Sequence, residues 1–94
     1  MRMPYELRVA DRFLTAQANL PPWLQGVVDY QLGQLAQRPR DLARPTVSPP
    51  FPPGGMMAEF THPIDGRDQH FIIFFRYSQD ETAIVVEDLA YWST

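Results

Sequence analysis

The chain contains no cysteine, which removes disulfides, thiol nucleophiles and thiolate metal sites together. Small secreted domains commonly depend on disulfide staples, so this absence favours the cytoplasm. Lysine is missing as well: all eight basic residues are arginine, and against 11 acidic residues they leave a formal net charge of −3. That balance argues against a strong non-specific nucleic-acid binder, which needs a basic surface, while leaving room for a local basic patch. No apolar run approaches the ~20 residues needed to cross a bilayer. The longest, Phe71–Phe75, has the length of a buried strand. Met1–Ala10 is charged and alternating, unlike a signal peptide. No GxGxxG, P-loop or HExxH motif occurs, and no serine sits in a nucleophile elbow. The sequence therefore predicts a soluble protein with no membrane partner, no small-molecule cofactor and no metal.

What is present fits one domain spanning residues 1–94. Tyr5, Leu7 and Val9 alternate with Glu6 and Arg8, the period of a strand with one apolar face. Asp11 is placed to cap a helix over roughly Arg12–Leu20, with Phe13, Leu14 and Ala18 inward. Pro21-Pro22 ends it and opens the next helix. There Trp23, Leu24, Val27, Val28, Leu32, Leu35 and Ala36 follow helical spacing, up to Arg38-Pro39.

Arg40–Gly55 is proline-rich and reads as a surface loop that cannot join a sheet, with Phe51 as its anchor. A meander follows. Its strands are Met56–Thr61, Gln69–Tyr77 and Thr82–Ala90, and Tyr91–Thr94 forms a tail. Phe71–Phe75 is apolar at every position, as in a central strand covered on both sides. The turn over His62–Asp68 contains Asp65-Gly66, the strongest hairpin signal in the chain. The predicted class is α+β, in the order β-αα-βββ, with a helical hairpin on one face of a mainly antiparallel four-stranded sheet.

This order resembles the RelE/ParE superfamily of bacterial toxin–antitoxin toxins. The resemblance rests on Tyr5–Val9, on LPPWLQ at Leu20–Gln25 and on LGQLAQRP at Leu32–Pro39. In the second half it rests on HFIIFFRYSQDETAIVVEDL at His70–Leu89. It implies a toxin-like protein held by a small antitoxin-like partner, acting as a ribosome-dependent, metal-independent mRNA endonuclease or translation inhibitor. The alternative is a catalytically silent relative that binds a protein. The resemblance also sets the family's third-strand arginine at Phe71, with His70 just before it. If Phe71 faces the helices, the comparison is shifted by one residue and His70 takes the open face.

Five residues are candidates for chemistry on that open face. Arg67 and Arg76 can grip phosphate through forked hydrogen bonds. His70 and Tyr91 can move protons. Trp92 can stack on an RNA base. The plainer reading makes the arginines solvated and gives Tyr91 and Trp92 the task of covering the core edge. Glu59 stands where some family members carry a catalytic acid, and a solvated strand carboxylate is the plainer alternative. His62 and His70 face each other directly if the turn is Asp65–Arg67, and lie on opposite faces if it is Asp65-Gly66 alone.

Overall fold

The structure is a computed structural model that describes residues 4–46 and 54–94. Its elements run β1 (Glu6–Val9), α1 (Asp11–Ala18), α2 (Pro22–Gln37), α3 (Pro39–Leu42), β2 (Arg44–Pro45), β3 (Met56–Ile64), β4 (Arg67–Tyr77) and β5 (Ala83–Ser93). The sheet has five strands in the order β1-β5-β4-β3-β2. β1 lies parallel to β5, and all other pairs are antiparallel. The α+β class and the helices-on-a-sheet arrangement are as the sequence predicts; the strand count is one higher.

The extra strand lies in the stretch expected to be loop. Arg44 and Pro45 pair with Met57 and Met56, and the Thr46 N–H donates to the Gly55 carbonyl at 3.0 Å. Proline is tolerated there because β2 is an edge strand, where a missing N–H can face outward. Pro39 likewise opens α3, a single helical turn, instead of only ending α2. Pro49–Pro53, with Phe51, lies outside the described residues.

Helix α1 starts at Asp11 with Ala10 as its cap residue and no side-chain cap. Asp11 therefore contributes its negative charge to the first turn and is not the cap. Only Phe13 of the expected inward set is buried; Leu14 is 50% exposed. In α2 the buried side is Leu24, Val28, Leu32, Leu35 and Ala36, while Trp23 points outward at 52% exposure. The apolar spacing of α2 is wide enough for either side of Trp23 to pack, and the sheet meets the side centred on Val28 and Leu35.

The β3–β4 turn is Asp65-Gly66 alone, since Ile64 pairs with Arg67. Both turn residues have positive φ, 51° and 78°, matching the right-handed twist of the hairpin. At the β4–β5 turn, the Asp80 carboxylate accepts from the Ser78 hydroxyl, the Thr82 hydroxyl and the Thr82 N–H at 2.7, 2.8 and 3.2 Å. These bonds, with Ser78 first and Thr82 next, hold the Asp80 carboxyl down at about 2.

One hydrophobic cluster joins Phe13, Leu24, Val28 and Leu35 of the helices to Phe71, Ile73, Phe75, Ile84, Val86 and Leu89 of the sheet. Odd-numbered residues of β4 face it. The even-numbered His70, Ile72, Phe74 and Arg76 face the other way and are half-buried, so the helices cover β4 on one side and not on both. In β5 the pairing slips between Phe74 and Phe75, leaving Glu87 as an extra residue. The last strand also runs through Tyr91 and Trp92 to Ser93, so the expected aromatic tail is part of the sheet.

Candidate functional site on the open sheet face

Phe71 decides the layout. It is 1% exposed and stacked on Phe60 at 4.8 Å between ring centres, within the helix-covered core. Strand alternation then puts His70 on the open face. His70 pairs across the ladders with Thr61 and Trp92. Its ring lies 5.2 Å from the Trp92 indole and nearly parallel to it. Its Nδ1 is 3.3 Å from the Thr61 hydroxyl and its Nε2 2.9 Å from the Thr94 hydroxyl. Trp92 is 44% exposed, so this stack presents an aromatic face to solvent.

Tyr91 does not join it. Tyr91 pairs with Phe71 on the covered face, and its hydroxyl donates to Oε1 of the buried Gln69. Gln69 in turn donates to the Ser93 hydroxyl at 3.1 Å. Arg67 also takes the alternation opposite to His70, at the exposed start of β4. Arg76 shares the open face but stands six residues along the strand from His70, about 20 Å away at ~3.3 Å per residue. Its Nε donates to Glu87 Oε1 at 3.0 Å. His70 and Trp92 are thus brought together. Arg67, Arg76 and Tyr91 are not brought to them, and the expected five-residue convergence on the open face is corrected by the register.

Glu59 sits on the open face opposite Ile72 and is ion-paired with Arg44. His62 pairs with Gln69, so the two histidines lie on opposite faces, as the two-residue turn requires. Among the described arginines, Arg8, Arg12, Arg40, Arg44 and Arg76 each have a carboxylate within ion-pair distance. Positive charge available for phosphate is therefore sparse on this face. Thr61 and Thr94, which bracket His70, were not picked out from the sequence. The turn signal at Asp65-Gly66 would have found Thr61, because a two-residue turn alone sets Thr61 opposite His70.

No protein-family model matches the chain, and no curated protein is significantly similar to it. The fold does have solved counterparts. The structure of the RelBE2 toxin–antitoxin complex from Mycobacterium tuberculosis matches with a TM-score of 0.73 at 20% identity, covering 96% of this chain and 100% of that one. The intact E. coli RelBE toxin–antitoxin complex matches with a TM-score of 0.60 at 12% identity, covering 92% and 94%. The chain thus shares its fold with these two structures, at low sequence identity. No helix among the described residues is long and apolar enough to cross a membrane.

Proposed function

We propose that this chain is the toxin-fold member of a toxin–antitoxin pair, working in the cytoplasm by holding a small antitoxin-like protein, without cleaving RNA. The fold likeness to RelBE complexes supports the partner class. The observation that carries the absence of cleavage is the placement of His70 and Tyr91 on opposite faces, with Arg76 about 20 Å from His70. Cleavage beside a ribose 2′-hydroxyl requires a base, an acid and a cation around one phosphate. A separation of ~20 Å spans several nucleotides, so Arg76 and His70 cannot serve the same bond.

A second reading is favoured by the His70–Trp92 stack. An exposed aromatic pair on the open face is a platform for an RNA base, and a block of translation at the ribosome needs binding without chemistry. Inducible expression with growth, translation and transcript-end readouts separates the two. Unchanged growth, intact transcripts and a co-purifying small chain are expected. Growth arrest with new transcript ends, abolished by His70→Ala, would overturn the silent reading in favour of an endoribonuclease. Arrest with intact transcripts, relieved by Trp92→Ala, would favour the translation block.

A further inference from the structure

Helix α2 carries an outward stripe that the domain does not use. Trp23 is 52% exposed and Tyr30 64% exposed. Gly26 and Gly33 are exposed on the same side: at 3.6 residues per turn, all four fall within an arc of about 80°. A Cβ built on either glycine meets no atom within 4 Å. Neither glycine is required by packing inside the chain, yet each costs a helix interior roughly 1 kcal/mol relative to alanine. The helix has a single charged residue, Asp29, which lies off the stripe and accepts from Gln17 Nε2 at 2.7 Å.

The order along the stripe is aromatic, glycine, aromatic, glycine, at spacings of three, four and three residues. Read backwards, the spacing is unchanged and each aromatic is exchanged for a glycine. Two antiparallel copies of α2, related by a two-fold axis on the outward side at the level of residue 28, therefore set Trp23 against Gly33 of the second copy and Tyr30 against Gly26 of the second copy. Such an isologous match buries every knob of one helix in a hole of the other.

We propose that the chain self-associates as a two-fold dimer through α2, each exposed aromatic seated over a glycine of the other copy. The four stripe residues carry no charge, so the knobs and holes of two chains of net charge −3 meet without a charged side chain among them. Area sets the size class of the interface. An α2 of 16 residues is about 24 Å long. Two such helices meet over less than the ~800 Å² per partner of a standard interface. An interface this small falls in the weak, transient class, and a dissociation constant of micromolar order is expected.

Sedimentation velocity on the full chain over a micromolar-to-millimolar dilution series tests this. The mass should rise with concentration from 10.9 kDa towards twice that value. Gly26→Tyr sets tyrosine against tyrosine and should raise the dissociation constant at least ~tenfold, with a circular-dichroism melting midpoint in dilute solution no lower than the parent's, since tyrosine is a better helix former than glycine. The double variant Gly26→Tyr/Tyr30→Gly restores an aromatic opposite each glycine and should restore association. General stickiness of the aromatics predicts the opposite order, because the single variant carries one more exposed aromatic than the double and would associate more strongly. A monomer at every concentration, a dimer insensitive to Gly26→Tyr, or a double variant as weak as the single would each overturn the proposal. Those results leave the partner-binding reading untouched, since that reading is decided by the expression experiment.

Discussion

His70 and Tyr91 sit on neighbouring strands, one residue out of register with each other, and point to opposite sides of the sheet. Tyr91 spends its hydroxyl on buried Gln69, whereas His70 stacks on Trp92 in the open. We expect Tyr91→Phe to destabilise the fold by about 1–3 kcal/mol, because it strips a buried side-chain oxygen of its donor. Denaturant melts measure the loss, and translation in the expression assay should be unaffected. A Tyr91→Phe protein as stable as the parent would show that Gln69 finds another partner.

Ile73 is 1% exposed at the centre of β4. Ile73→Asp places a carboxylate among Leu35, Ala58 and Leu89, in a cluster whose described buried members are all uncharged. Its expected effect is a loss above ~4 kcal/mol, enough to abolish cooperative unfolding in a domain of this size. Far-UV circular dichroism during heating reads it directly. A near-native melting temperature would mean that the core lies elsewhere.

One substitution should have opposite signs at two glycines. Gly66 has φ of 78° in the β3–β4 turn, where an added Cβ is strained, so Gly66→Ala should cost about 1–2 kcal/mol. Gly26 is helical with open space around it, so Gly26→Ala should add up to about 1 kcal/mol in dilute solution. Paired thermal melts at low concentration compare them. Equal shifts of the same sign would contradict the backbone argument.

The Asp80 carboxyl is held at about 2 against an ordinary 3.8, by the Ser78 hydroxyl and then the Thr82 groups. A carboxyl lowered in the folded state stabilises it above the unfolded value and loses that contribution on protonation. The contribution should thus be complete above about pH 4 and disappear as the pH falls to about 2. Asp80→Ala should flatten the pH dependence of the melting midpoint across that window and leave the rest of the curve parallel. A variant with the parent's acid limb would assign that limb to other carboxyls.

Local chemistry alone determined much of this protein. The Asp65-Gly66 turn follows from two adjacent residues that accept positive φ, and it dictates the register of β3 on β4. The break at Pro21-Pro22 and the inward row Leu24, Val28, Leu32 and Leu35 follow from proline sterics and helical period. Tertiary structure decided what a period leaves open. Phe71–Phe75 is apolar at every position, so its pattern could not say which face the helices cover, and with that face goes the placement of His70, Tyr91 and both arginines. Pro45 reads as a sheet breaker until its strand is known to lie at the edge. In each case the deciding quantity is a contact between segments distant in sequence, which no local pattern carries.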